Sequence, residues 1–229
     1  MRTTLSILVL FLLAAACSPG DRASLPARAA APAPPSTPAP PAAPAADEPL
    51  VVFLGDSLTA GYGLGGEQAY PALVEKRLEE EGIPIKVLNA GVSGDTTAGG
   101  LARLDWLLSQ KPDVVVVGLG GNDGLRGLPL EQAEQNLREI VRRAKAAGAR
   151  VLLLGMQIPP NYGPEYAQGF SDMYPRIAKE MDVALVPFLL EGVGGVSDLN
   201  QADGIHPTAE GQEKVADLVT PYVADVLAD

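Results

Sequence analysis

The sequence predicts an α/β protein in which helices cover both faces of a five-stranded parallel sheet. Five short apolar runs alternate with segments of helical periodicity along the 229 residues. A short continuous apolar run is typical of a strand buried on both faces, and strands that alternate with helices favour parallel pairing. Right-handed crossovers then give a three-layer α/β/α sandwich.

Each predicted strand is a run of four or five mostly apolar residues. The four consecutive valines at 114–117 give the clearest strand, because β-branched side chains favour extended backbone. The predicted strands are 50–54, 85–88, 114–117, 151–154 and 183–186. Functional groups in such sheets gather where the strands end, at their carboxyl edge.

Each predicted helix follows a strand and carries an apolar stripe at helical spacing. In the segment 130–147, Leu137, Ile140 and Val141 share one face, and Gly148 ends the helix. The predicted helices are 69–81, 97–109, 130–147, 166–181 and 207–227. Strand and helix therefore alternate through the whole of the predicted domain, residues 49–229.

The amino terminus reads as an export signal. Arg2, an apolar run at 5–13 and three alanines precede Cys17, as in a secretory signal peptide. The run is too short to span a bilayer, which needs about 20 apolar residues. A cysteine directly after small residues resembles a bacterial lipobox, so we expect residues 1–16 to be a lipoprotein signal peptide and Cys17 to be lipidated. The alternative is an ordinary signal peptide with an incidental cysteine.

The segment that follows is predicted to be a tether, so that residues 17–48 comprise the lipidated cysteine and an Ala/Pro-rich linker. Of the 31 residues in 18–48, 11 are Ala and 9 are Pro. Such a composition has little to bury and is stiffened by proline. We expect the protein in the cell envelope, lipid-anchored on the periplasmic side at the outer membrane. A soluble periplasmic or secreted form is the alternative.

Composition excludes several classes of function. The net charge of −11 has the wrong sign for a nucleic-acid binder, and it disfavours adhesion to anionic lipid, so the lipid anchor would be the only contact with a membrane. With one Cys and one His, the chain has no intramolecular disulfide, no thiolate zinc site and no site needing two imidazoles. Neither a Walker loop nor a convincing dinucleotide-binding motif is present. We expect a monomer.

Three motifs follow the first three predicted strands. Ser57 stands between Gly55 and Gly61, where a tight turn would expose its hydroxyl. No G-x-S-x-G pentapeptide occurs, so the nucleophile elbow of α/β-hydrolases is absent. Gly94 and Asn122, after the next two strands, supply uncharged donors suited to a developing oxyanion. Taken singly, each motif also fits a turn or a helix cap.

The last motif pairs a carboxylate with the only histidine. Asp203 precedes His206 by three residues across Gly204, just ahead of Pro207. A carboxylate folded back onto the imidazole would fix its tautomer and stabilise the imidazolium. The alternative is a helix-capping aspartate beside an exposed histidine. Together the four motifs supply a nucleophile, two donors and a base with its orienting carboxylate, which predicts acyl transfer.

These motifs resemble the sequence blocks of the SGNH hydrolases, also called GDSL lipases and esterases. The resemblance covers about 50–227 and is greatest to the bacterial branch of thioesterase I, lysophospholipase L1 and arylesterase. It implies their flavodoxin-like fold, a nucleophile Ser57, a general base and acid His206, and an orienting carboxylate Asp203. It also implies an oxyanion hole made by Ser57, Gly94 and Asn122.

The resemblance implies a serine esterase that works through an acyl-enzyme and needs no metal or organic cofactor. Its substrates would be small esters or lipids, namely aryl esters, lysophospholipids and acyl thioesters. The loop 157–163 would border the acyl groove, and the alternative is an ordinary surface turn. Asp56 and Asp123 would be structural turn carboxylates. Two alternatives stay open: a carbohydrate O-acetyl esterase or acetyltransferase acting on envelope glycans, and a non-catalytic binding lipoprotein of the envelope.

Overall fold

The structure is a computed structural model that describes residues 48–229. The predicted signal peptide, the predicted lipidation site Cys17 and the Ala/Pro-rich segment up to residue 47 lie outside the described residues. Within 48–229, no helix combines the length and the apolar character needed to cross a bilayer.

Five parallel strands form one sheet in the order β2-β1-β3-β4-β5. The strands are β1 (Leu50–Gly55), β2 (Lys86–Gly91), β3 (Val114–Gly118), β4 (Arg150–Leu154) and β5 (Ala184–Val186). Every neighbouring pair runs parallel, and Val52 of β1 lies between Leu88 of β2 and Val115 of β3. The predicted five-stranded parallel sheet is confirmed.

The central strands are buried on both faces, as their composition predicts. All side chains of Val51–Leu54 and of the four valines of β3 are inaccessible or nearly so. The edge strand β2 is different, because its side chains are mostly half-buried or exposed. It also extends to Gly91, so Asn89–Gly91, predicted as loop, belong to a strand. Pairing with β1 up to Gly55 accounts for this extension, which an apolar run could not reveal.

Two sets of helices cover the sheet. The helices are α1 (Ser57–Ala60), α2 (Tyr70–Glu80), α3 (Thr97–Leu108), α4 (Gly121–Leu125), α5 (Leu130–Ala146), α6 (Pro164–Met181) and α7 (Ala209–Ala228). Helices α2 and α7 pack on each other, while α5 packs on both α3 and α6. The connection from β1 to β2 runs toward one edge of the sheet, and the connections from β2 to β5 run toward the other edge. Right-handed crossovers therefore place α2 on one face of the sheet, and α3, α5 and α6 on the opposite face.

Besides the end of β2, three further predicted details differ from the structure. The segments after β1 and β3 are helical turns, α1 and α4, rather than loops; helices of four and five residues are too short to show a period. The last helix begins at Ala209 rather than Pro207. Thr208 is its N-cap, and its hydroxyl accepts a hydrogen bond from the Gly211 N–H at 3.2 Å.

Candidate active site

Ser57 is the first residue of α1, directly above the carboxyl end of β1. The preceding Asp56 is the N-cap of this helix, and its carboxylate accepts a hydrogen bond from the Leu58 N–H at 3.0 Å. The N–H of Ser57 therefore has no acceptor within the helix, because the first N–H groups of a helix never do. Hydroxyl and amide of one residue both lie at the edge of the sheet.

The structure brings Ser57, His206 and Asp203 together across 149 residues of chain. The Ser57 Oγ lies 2.8 Å from His206 Nε2, and His206 Nδ1 lies 2.7 Å from Asp203 Oδ2. An ionised carboxylate only accepts hydrogen bonds, so Nδ1 carries a proton and Nε2 is free to accept the Ser57 hydroxyl proton. The alternative of a helix-capping aspartate beside a merely exposed histidine is wrong, because Thr208 is the N-cap of α7 and both ring nitrogens of His206 have partners.

Asp203 is held as an anion by the turn around it. The His206 imidazole, then the N–H groups of His206 and Ile205, donate to its carboxylate and lower the pKa of Asp203 well below its usual range. The two N–H groups reach its Oδ1 at 3.0 and 2.9 Å. The carboxylate thus keeps its charge, and the charge keeps the imidazole in place.

The Asn122 side chain is fixed at the same edge of the sheet. Its Nδ2 donates to the carbonyl of Asp95 at 2.9 Å and makes a longer contact of 3.3 Å to Asp56 Oδ2. The first bond orients the amide group. The second, being long, is the one that a better acceptor could replace.

Gly94 occupies the loop after β2 in a left-handed conformation, with φ of 82°. Its carbonyl accepts a hydrogen bond from Arg126 at 2.8 Å, which fixes the orientation of this peptide. Arg103 ties the same loop to β1, because it donates to Asp95 at 2.8 Å and to the Gly55 carbonyl at 2.9 Å. The sequence analysis gave neither arginine a role, because their contacts join segments that only the folded chain brings together.

A cleft of about 470 Å³ opens beside Ser57, Asn122 and His206. Its walls are mainly apolar, and the apolar residues include Leu58, Leu125, Met156, Ile158, Pro159 and Phe188. Gly94 and Asp203 lie outside this lining. Of the predicted acyl-groove loop, residues 157–159 line the cleft and residues 160–163 do not. Ser57 therefore borders a pocket of the size and character that takes a small apolar ligand.

Two further aspartates near the site have structural contacts. Asp123 accepts hydrogen bonds from the Thr97 N–H and hydroxyl at 2.9 and 2.7 Å. Asp56 lines the cleft but is almost fully buried, and this desolvation raises its pKa from 3.8 to about 6. The Leu58 N–H, the charge of His206 and the Asn122 amide offset part of that rise.

Comparison with known proteins identifies the family of this chain. Residues 53–214 match the model of the GDSL-like Lipase/Acylhydrolase family. "Esterase TesA" of Pseudomonas aeruginosa is 52% identical over 184 residues, covering 80% of this chain and 91% of that protein. "Thioesterase 1/protease 1/lysophospholipase L1" of Escherichia coli K12 is 48% identical over 174 residues, covering 76% and 82%.

A solved structure of TesA superposes with a TM-score of 0.75 at 50% identity, covering 77% of this chain and 99% of that one. The fold and the family predicted from the motifs are both confirmed. The chain belongs to the GDSL-like Lipase/Acylhydrolase family and is a hydrolase.

Proposed function

We propose that this protein hydrolyses carboxylic esters with Ser57 as nucleophile, His206 as general base and acid, and Asp203 as the orienting carboxylate. The observation that carries the proposal is the unbroken chain of hydrogen bonds from Asp203 Oδ2 through the imidazole to Ser57 Oγ, with distances of 2.7 and 2.8 Å. A serine hydroxyl is a weak nucleophile until such a base removes its proton.

The reaction has two matched halves. As Ser57 Oγ bonds to the ester carbonyl carbon, its proton passes to His206 Nε2, and the Asp203 carboxylate stabilises the resulting imidazolium. When the tetrahedral intermediate collapses, the C–O bond to the leaving alcohol breaks and the alcohol takes the proton from Nε2. Water then attacks the acyl-serine by the same route and regenerates the free hydroxyl.

The oxyanion formed in each half would be bound by the N–H groups of Ser57 and Gly94 and by the Asn122 amide. The carbonyl of Asp95 already orients that amide, so its second N–H needs only to exchange the 3.3 Å contact with Asp56 for the oxyanion. Donors that are fixed before the charge appears stabilise it without reorganisation, which is the source of their catalytic effect.

The cleft favours esters with an apolar acyl chain. Its predominantly apolar walls would hold the acyl chain, and the alcohol would leave past Asp203, whose side chain is 39% exposed. Aryl esters and lysophospholipids fit this division. The names of two relatives, "Esterase TesA" and "Thioesterase 1/protease 1/lysophospholipase L1", support the same substrate classes. Acyl thioesters with a polyanionic carrier are disfavoured by the net charge of −11.

A chain-length series of p-nitrophenyl esters, run beside a lysophospholipid and an acetylated glycan, tests the substrate class. We expect turnover of medium-chain esters or lysophospholipid, and none by Ser57→Ala. Acetyl release from the glycan without activity on longer esters would instead identify a carbohydrate O-acetyl esterase. Full activity of Ser57→Ala would overturn the proposed nucleophile.

The proposed location is the cell envelope, with the chain held by lipid at Cys17. Its support is the export signal at 1–16 and the position of the only cysteine directly after it. In cells fed a labelled fatty acid, the wild-type protein should take up label and sediment with membranes, and Cys17→Ser should do neither. Unlabelled wild-type protein in the soluble fraction would contradict the anchor.

A further inference from the structure

Tyr62 lies against the face of the His206 imidazole. The two ring centroids are 4.6 Å apart and the ring planes are inclined by 40°. His206 bonds to Ser57 and Asp203 through its two ring nitrogens, and both hydrogen bonds lie in the plane of the ring. The face of the ring is therefore free for the contact with Tyr62. Tyr62 is 51% exposed and therefore contributes little to the core.

The backbone around Tyr62 is built to hold it there. Tyr62 stands between Gly61 and Gly63, which adopt left-handed conformations with φ of 70° and 81°. Its N–H donates to the carbonyl of Ser57 at 3.0 Å, and its carbonyl accepts a hydrogen bond from Gln201 Nε2 at 2.7 Å. The residue beside the imidazole is thus fixed to the segment that carries the nucleophile.

Gln201 joins this segment to the one that carries the histidine. Its side-chain Nε2 also donates to the carbonyl of Pro207 at 2.9 Å, and its backbone N–H donates to the carbonyl of His206 at 2.7 Å. These four hydrogen bonds connect the segment of Ser57 and Tyr62 with the segment of Gln201, His206 and Pro207, although Tyr62 and Gln201 are 139 residues apart in sequence.

We propose that Tyr62 is a positioning residue for His206. The aromatic ring of Tyr62 stabilises the His206 imidazolium, and Gln201 holds Tyr62 in place. The proposal rests on the proposed function, because the imidazolium forms only when Nε2 takes the Ser57 proton. An aromatic face attracts a cation through its quadrupole. A neutral imidazole gains less from such a contact than an imidazolium does, so the Tyr62 ring acts mainly on the transition state, in which the imidazolium forms.

The expected effect is moderate and depends on the ring alone. An exposed cation–π contact of the usual strength corresponds to about 2–5-fold in rate and to about 0.4–0.7 pH units in a titration midpoint. Tyr62→Phe keeps the aromatic face and should behave as the wild type. Tyr62→Leu keeps an apolar side chain without the quadrupole, so kcat/KM at pH 8 should fall about 2–5-fold, and the midpoint of the acidic limb should move to lower pH.

Several other groups act on the same limb. Asp203 contacts Nδ1, Ser57 contacts Nε2, and the buried Asp56 interacts electrostatically with the imidazole from the N-cap of α1. All three are present in both variants. The comparison of Tyr62→Phe with Tyr62→Leu therefore isolates the aromatic face.

The experiment is the pH profile of kcat/KM from pH 5 to 9 for the wild type, Tyr62→Phe, Tyr62→Leu, Gln201→Ala and Tyr62→Leu/Gln201→Ala. We expect a lowered midpoint in Tyr62→Leu and in the double variant, and a wild-type midpoint in Tyr62→Phe. The double variant should be less impaired than the two single losses combined, because Gln201 acts on the imidazolium through the ring of Tyr62. Equal profiles of Phe and Leu, a slower Leu variant with an unmoved midpoint, or additive losses would overturn the proposal.

Ser57→Ala, assayed in parallel, separates this proposal from the one on which it rests. If Ser57→Ala is inactive and the Phe and Leu variants are alike, the role of Tyr62 is wrong and the nucleophile stands. If Ser57→Ala retains activity, the proposed function itself is wrong.

Discussion

Asp56→Asn should make the protein more stable at neutral pH and less active. Asp56 is 3% exposed, and its pKa rises from 3.8 to about 6 on burial. A carboxyl group whose pKa is raised on folding binds protons more tightly in the folded state than in the unfolded state. Its contribution to the free energy of unfolding therefore falls as the pH rises from 3.8 to about 6, and above that range the loss is constant. The difference corresponds to about 3 kcal/mol at pH 7.5, since each pKa unit is worth about 1.4 kcal/mol.

Asparagine removes this charge and keeps the cap. Its Oδ1 can still accept the Leu58 N–H, but the contact between residue 56 and the Asn122 amide is lost, which subtracts the same amount of stability at every pH. The advantage of the variant should therefore be about 2 kcal/mol larger at pH 7.5 than at pH 4. Turnover should fall about 2–10-fold, because the new side-chain NH2 at position 56 faces the Asn122 NH2 donor and displaces it from the position that the Asp95 carbonyl sets.

Urea unfolding of both proteins at pH 4 and pH 7.5 measures the effect. Wild type and Asp56→Asn should have similar slopes, and the midpoint difference should grow with pH. A stability difference that is the same at both pH values would refute the assignment of a raised pKa to Asp56. Unchanged turnover would refute its link to Asn122.

Three further outcomes are expected at the site. Asn122→Ala should lower kcat by about 10²–10³ with little change in KM, which corresponds to about 3–4 kcal/mol of transition-state stabilisation, as for other single oxyanion donors. Stopped or continuous ester assays measure both constants, and a change confined to KM would contradict the prediction. Asp203→Asn should lower kcat by about 10⁴, because an amide at this position no longer fixes the tautomer or balances the imidazolium; steady-state kinetics would show a small loss if the carboxylate were only structural. Prolonged dialysis against EDTA should leave kcat/KM unchanged, and a loss restored by a divalent cation would contradict hydrolysis by side chains alone.

The buried part of the fold could be predicted from the sequence because burial leaves a compositional pattern. β1 and β3 lie in the middle of the sheet, and both appear as continuous apolar runs. The end of β2 could not be found this way, since Asn89 and Gly91 lie on an edge strand where polar residues are tolerated. The turns α1 and α4 escaped for a different reason: each is shorter than two helical turns and has no apolar stripe.

The residues of the site also differ in how far the sequence identifies them. The triad residues Ser57, Asp203 and His206 stand in short motifs. A serine, an aspartate and a histidine in such motifs rarely occur together for structural reasons alone, so one sequence was enough to identify them. Tyr62 and Gln201 act through contacts that the folded chain creates, and the side chain of neither residue has a role that its local sequence indicates. Their identification required coordinates.

Labelling with a fluorophosphonate, read by mass spectrometry, tests the central claim most directly. The reagent should add one phosphonyl group to the wild-type protein, and the modified peptide should contain Ser57. His206→Ala should react several orders of magnitude more slowly, because no other histidine exists to take the hydroxyl proton. Modification at another residue, or a His206→Ala variant that labels at the wild-type rate, would contradict the account.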